Sequence, residues 1–225
     1  MKIKLKQAGG EFTVSYIEIE NLYKIIRGQV VLNNINLTLE KGKIYGFIGS
    51  NGSGKTMLFR AICGLIKPSK GTIKIQGEIL HKDISFPRDV GVIIESPGFW
   101  DHLTGFENLK LLSNIKGIIG DEEIKSTLER VGLKKEDSRI YKKYSLGMKQ
   151  RLAIAQAIME SPGLLILDEP TNALDEDGVE LIRNIILEEN KRGATVLIAS
   201  HNKEDINKLV DETFKLVDGE LINNG

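Results

Sequence analysis

A single cysteine, Cys63, stands in 225 residues, and one thiol cannot close an internal disulfide. It falls on the apolar side of a helical pattern, where a small buried residue is expected. Net charge is also lacking: 31 Lys and Arg offset 31 Asp and Glu. That balance excludes a whole-domain electrostatic grip on nucleic acid or anionic lipid, and no nucleic-acid partner is expected. No apolar run approaches the ~18–20 residues needed to cross a bilayer, and the first residues carry no signal-peptide pattern. An intracellular protein is therefore expected, reaching a membrane only through something else. Internal repeats and low-complexity segments are absent as well. A chain of this length can nonetheless bury a substantial core.

What is present centres on Gly49-Ser50-Asn51-Gly52-Ser53-Gly54-Lys55-Thr56. It fits G-x-x-x-x-G-K-[ST], in which glycines let backbone N–H groups fold round a chain of phosphates. The context agrees. Lys43 to Ile48 reads as a short buried strand, and Met57 to Cys63 as a helix that Gly64 ends. A strand feeding a helix start offers oriented amides and the positive end of the helix dipole to a triphosphate. Lys55 then reaches the β- and γ-phosphates, and the Thr56 hydroxyl becomes a Mg²⁺ ligand.

Residues 1–15 are unlike the rest of the chain and read either as an extra edge hairpin or as an expression leader outside the fold. From Tyr16 the pattern is β, with Ile17 and Ile19, then Ile35, Leu37 and Leu39, alternating with polar residues. Ile73 and Ile75 share one face of another strand. The run Val90 to Ile94 predicts a central strand buried on both faces. Thr104-x-x-Glu107 is a capping box, Asp121 opens a helix stopped by Gly132, and a third helix begins after Ser145 and runs to about Glu160. Then α/β alternation returns: strands over Leu164–Leu167 and Thr195–Ala199 flank a helix marked by Val179, Ile182 and Ile186. A hairpin turning at Asp218-Gly219 closes the pattern. The fold class is α/β: a nucleotide core on a mostly parallel sheet, a β-rich flanking subdomain, and a helical subdomain inserted around 97–160. Residues 16–225 form one such domain.

Four apolar residues, Leu164 to Leu167, run into Asp168 and Glu169. On a strand ending at the phosphate loop, Asp168 projects towards Mg²⁺, and Glu169 can accept a proton from water in line with the γ-phosphate. The same letters also describe a strand entering an acidic loop, so the phosphate loop in the same chain is what favours the catalytic reading.

With these motifs in place, the chain resembles the nucleotide-binding subunit of an ATP-binding-cassette (ABC) transporter. Beyond 49–56 and 164–169, the likeness rests on YSLGMKQR at 144–151, TNALD at 171–175, and Ser200-His201. The stretch Gly91 to Trp100, followed by Leu103-Thr104 and Glu107-Asn108-Leu109, is similar to the bacitracin-resistance and lantibiotic-immunity type of exporter ATPase. The resemblance implies ATP and Mg²⁺ as ligands, with Ser145 and Gly147 capping ATP bound on a second, identical subunit. It implies that His201 senses the γ-phosphate and that Asp175 helps position the opposing site. It further implies a separate transmembrane permease, a location on the inner face of the membrane, and export of a peptide antibiotic. A low-turnover regulatory or scaffold ATPase is the alternative, and it would be marked by loss of the carboxylate that Glu169 retains.

Four positions depart from the family pattern. Glu95 stands where Gln is usual and would sit near Mg²⁺, making a third carboxylate beside Asp168 and Glu169 and raising at least one of their pKa values. Leu146 and Met148 replace the usual Gly and Gln of the signature loop. Ile26 occupies the place of the adenine-stacking aromatic, so adenine is expected to pack on Ile26 and Val31. Phe99 and Trp100 are expected either to meet the permease or to be buried among the helices, and His81 and His102 to lie on the surface.

Overall fold

The computed structural model describes residues 15–95 and 98–222. Most of the N-terminal segment expected to be a hairpin or leader therefore lies outside the described residues, as do Ser96 and Pro97.

Alternating apolar residues build the first sheet. Strands β1 (Ser15–Ile26) and β2 (Gln29–Glu40) form a hairpin with Ile17 opposite Leu39, Ile19 opposite Leu37 and Leu22 opposite Ile35. All six are buried, so the hairpin presents one apolar face. The chain then runs through β3 (Ile44–Ile48) and helix α1 (Lys55–Ile62) before returning to this sheet as β4 (Lys70–Ile75) and β5 (Glu78–Ile79). The sheet is antiparallel in the order β2-β1-β4-β5. Next come β6 (Val90–Ile93) and three helices: α2 (Gly105–Lys116), α3 (Asp121–Arg130) and α4 (Leu146–Ile158). The capping box at the start of α2 is formed as expected: Thr104 accepts from the Glu107 N–H, and Glu107 accepts from the Thr104 N–H at 2.7 Å. Then β7 (Leu164–Asp168), α5 (Glu176–Lys191), β8 (Thr195–Ala199), α6 (Lys203–Leu209), β9 (Glu212–Val217) and β10 (Glu220–Ile222) complete the chain.

The second sheet has the order β10-β9-β3-β8-β7-β6 and is parallel except for the β9–β10 hairpin. Period-two alternation divides its side chains between two cores. Tyr45, Phe47, Leu164, Ile166 and Leu197 face α1 and the antiparallel sheet, while Ile44, Leu165, Leu167, Val196 and Ile198 face the helices. Phe47 meets Phe59 of α1 edge-on at 5.3 Å, and each fully buried ring contributes roughly 1.5–3 kcal/mol.

The expectation of a central strand at Val90–Ile94 is corrected. In the six-stranded sheet β6 pairs only with β7 and forms the edge. Its apolar character comes from a helix instead: α4 presses so closely that a methyl on Gly91 would overlap the Ala157 carbonyl oxygen. An edge covered by a helix reads in sequence like an interior strand.

Candidate active site

Parallel strands put their carboxyl ends on one side, and the predicted residues collect there. The phosphate loop follows β3, Asp168 and Glu169 end β7, and Ser200-His201 follows β8. Between them opens a cleft of about 530 Å³. It is lined by Asn51 through Met57, by Asp168, Glu169 and His201, by Val31 and Glu95, and at its rim by Leu146, Gln150, Asn172 and Ala173.

The loop is held from two sides. Gly219, in the turn between β9 and β10, donates its N–H to the Ser53 carbonyl at 3.0 Å. Gly54 caps α1 at φ 109°, and a side chain there would press on the Val31 carbonyl at 3.1 Å. Lys55 is buried and donates from Nζ to the Gly49 and Ser50 carbonyls at 2.8 and 3.1 Å. Gly49 and Ser50 thus serve the site through their carbonyls and do not line the cleft. The Ser53 hydroxyl is buried and finds no partner among the described residues. An unsatisfied donor beside free helix-start amides suits a phosphate oxygen.

Thr56 donates from Oγ1 to Asp168 Oδ2 at 2.6 Å, so a hydroxyl and a carboxylate meet at one point. These are the hard oxygen donors that Mg²⁺ takes, in small number, alongside phosphate oxygens and water. The donor set fits that ion. Among the described residues, no three His, Cys, Asp or Glu side chains are grouped to hold a metal by themselves.

Glu169 sits at φ 53°, a left-handed conformation uncommon outside glycine. Its N–H continues the sheet to the Ala199 carbonyl at 2.8 Å. Burial pushes its carboxyl above the usual range; the His201 N–H and His201 charge oppose this, Asp168 adds to it, and Lys55 opposes it. Oε1 lies 3.3 Å from His201 Nε2. The third carboxylate does not join this pair as expected. Glu95 borders the cleft, but its Oε1 is 2.7 Å from Arg60 Nη2 of α1. The raised Glu169 carboxyl is therefore chiefly an effect of burial.

Other predicted residues lie further out. Ile26, at the end of β1, is 37% exposed and does not line the cleft, whereas Val31 does. Ser145 caps α4, accepting from the Met148 N–H at 3.2 Å, and neighbouring Leu146 is 70% exposed. Gly147 packs towards the Ala173 carbonyl. Asp175 caps α5, accepting from the Gly178 N–H at 3.0 Å, and lies 3.5 Å from Arg151. Phe99 packs edge-on against Tyr141 at 5.2 Å, while Trp100 is exposed. His102 is exposed, but His81 is only half-exposed, with Nε2 buried. Burial pushes the Cys63 thiol up to about 12, which leaves it inert.

Sequence reasoning missed two features. Gln150 of α4 donates to the Glu169 and Pro170 carbonyls at 3.2 and 2.9 Å, tying α4 to the loop after β7. Its place one turn into α4 was the available signal. A buried pair, Arg183 and Asp205, supports the same region. Arg183 beside the apolar stripe of α5 was the only hint.

The family model for ABC transporter matches residues 32–172. The ABC transporter ATP-binding protein YybJ of Bacillus subtilis is 56% identical over 205 residues, covering 91% of this chain and 94% of that one. The bacitracin transport ATP-binding protein BcrA of Enterococcus faecalis is 43% identical over 92% of this chain and 68% of its own length. The lantibiotic transport ATP-binding protein SrtF of Streptococcus pyogenes is 38% identical, with 92% and 89% covered. Among solved structures, the dimeric MJ0796, a bacterial ABC transporter cassette, superposes with a TM-score of 0.84 at 26% identity, over 92% of this chain and 97% of that one.

Proposed function

Because this chain belongs to the ABC transporter family and is one of its ATP-binding, ATP-hydrolysing subunits, we propose that two copies close around two ATP molecules. Their closure drives a separate transmembrane permease that exports a peptide antibiotic. The observation that carries this reading is the single cleft that gathers Lys55, Thr56, Asp168, Glu169 and His201 at the strand ends.

Each residue has a role that its chemistry supports. Lys55 and the loop amides bind the β- and γ-phosphates. Thr56 and Asp168 hold Mg²⁺, which when bound offsets the negative charge that develops on the phosphates. Glu169 takes a proton from the attacking water; its raised carboxyl makes it a stronger base once ionised. His201 holds Glu169 in place and donates towards the transferred phosphoryl group. Glu95 is a further ligand candidate, since an ion pair whose carboxylate is 61% exposed is worth only ~0–1 kcal/mol and releases readily.

The pairing of copies is favoured by what one chain leaves unused. Leu146, at the start of α4 beside Ser145, is 70% exposed at the rim of the cleft, where a helix start attracts an anion. One phosphate loop and one signature loop per chain suit a two-fold assembly. MJ0796 is dimeric in the matching structure. No helix among the described residues is long and apolar enough to cross a membrane, and this reading assigns the transport path to a partner, with this subunit peripheral on the cytoplasmic face. The helical insertion around 97–160 is the part we assign to permease contact, with exposed Trp100 at its edge. A peptide antibiotic as cargo is supported by the names of BcrA and SrtF.

Phosphate release from purified protein with MgATP tests the reading. Wild type should turn over, and Glu169→Gln and Lys55→Ala should not. Wild-type rates in Glu169→Gln would remove Glu169 as the base. Co-purification of a multi-span membrane protein from a membrane extract tests the partnership.

A further inference from the structure

Asp205 lies at the start of the short helix α6, is 0% exposed, and has no place in the cleft. A buried carboxylate persists only where it is paired and its oxygens are satisfied. The pair is Arg183 of α5, itself buried, whose Nε donates to Oδ1 at 2.8 Å and whose Nη2 lies 2.7 Å from the same oxygen. The second oxygen is used differently. Oδ2 accepts from Thr171 Oγ1 at 2.6 Å and from Ser200 Oγ at 3.0 Å. Thr171 is two residues past Glu169, and Ser200 immediately precedes His201. One oxygen atom therefore joins the two loops that carry the base and its histidine.

We propose that Asp205 is a positioning residue for hydrolysis, setting Glu169 against His201 through the hydroxyls of Thr171 and Ser200. The need for such a clamp is visible in the backbone. Glu169 and, four residues on, Ala173 both hold positive φ, at 53° and 64°. Left-handed residues of this kind persist when their surroundings over-determine them. The Ser200 hydroxyl also accepts from the Asn202 N–H at 3.0 Å, which turns the chain directly after His201. Were the arrangement only structural, Arg183 would satisfy Asp205 without recruiting a hydroxyl from each catalytic loop. Their convergence on Oδ2 makes the 3.3 Å spacing of Glu169 Oε1 and His201 Nε2 a consequence of Asp205. Arg183 belongs to the helix capped by Asp175.

The inference rests on Glu169 being the base, and the test separates the two ideas. Steady-state ATPase and ATP-induced thermal shift are measured for wild type, Glu169→Gln, Thr171→Val, Thr171→Ser and Ser200→Ala. Thr171→Val keeps the shape and leaves the Asp205–Arg183 pair intact. It should lower kcat roughly 10- to 100-fold, the scale of a misplaced catalytic group, with KM and the thermal shift unchanged. Thr171→Ser should restore kcat, and Ser200→Ala should repeat the kcat loss from the other arm. Wild-type kcat in Thr171→Val and Ser200→Ala would overturn the clamp while an inactive Glu169→Gln kept the base. An equal loss of kcat and ATP-induced stabilisation, or no rescue by serine, would show a purely structural contact and overturn it as well. An active Glu169→Gln would instead defeat the underlying assignment of the base.

Discussion

Glu169 meets one residue twice: Oε2 accepts the His201 backbone N–H at 3.3 Å, while Oε1 lies 3.3 Å from His201 Nε2 with no hydrogen-bond partner among the described residues. The carboxylate is oriented by the chain after β8 as much as by its own strand.

Glu169→Gln should remove general-base catalysis and lower kcat by ~10²–10⁴-fold. The same variant carries a stability signature. Burial holds the Glu169 carboxyl above its ordinary value, so the folded state binds that proton more tightly than the unfolded chain. Its stabilising contribution is complete in acid and is lost as pH rises through the folded-state value. Nucleotide-free Glu169→Gln should therefore melt above wild type at neutral pH, with the gap closing below the ordinary carboxylate range. Melting curves across pH check this.

Lys55→Ala should abolish the thermal shift produced by ATP. A ligand at 100 times its Kd stabilises by about 2.7 kcal/mol, which is ~5–10 °C for a domain of this size. Thermal-shift titration measures it; an unchanged shift would contradict the phosphate-loop assignment.

Glu95→Gln should keep ATPase activity within about tenfold, because the half-exposed pair with Arg60 is worth under ~1 kcal/mol and an amide can reach the same metal position. Glu95→Ala should retain hydrolysis yet lose antibiotic tolerance in cells carrying the transporter. Equal tolerance in all three forms would show the carboxylate to be incidental.

Gly91→Ala should be severely destabilising, since its methyl would overlap the Ala157 carbonyl of α4. Overpacking of this kind costs ~1–3 kcal/mol or more. Denaturant unfolding gives the value.

Local chemistry was legible. The phosphate loop between strand and helix, the Thr104–Glu107 box and the Asp218-Gly219 hairpin are written in residues a few positions apart, and each formed where expected. What sequence did not show depends on partners distant in the chain. Whether β6 is an edge is decided by who pairs with it, and its apolar run is the same in either place. Glu95 was expected beside Asp168 and Glu169 because it stands at the family's usual Gln position, but its Oε1 pairs with Arg60 of α1 at 2.7 Å. The left-handed Glu169 and the Thr171–Asp205–Ser200 junction are held by contacts spanning 5 to 34 residues. No window of sequence displays them.

The central claim is that two copies share each ATP, with Lys55 on one and Ser145 on the other. Light scattering on eluting Glu169→Gln with MgATP addresses it most directly, because that variant should hold the closed state. The account predicts twice the subunit mass with MgATP, a single subunit without it, and a single subunit in Glu169→Gln carrying Ser145→Arg. A single subunit under saturating MgATP, or a pair indifferent to Ser145→Arg, would contradict it.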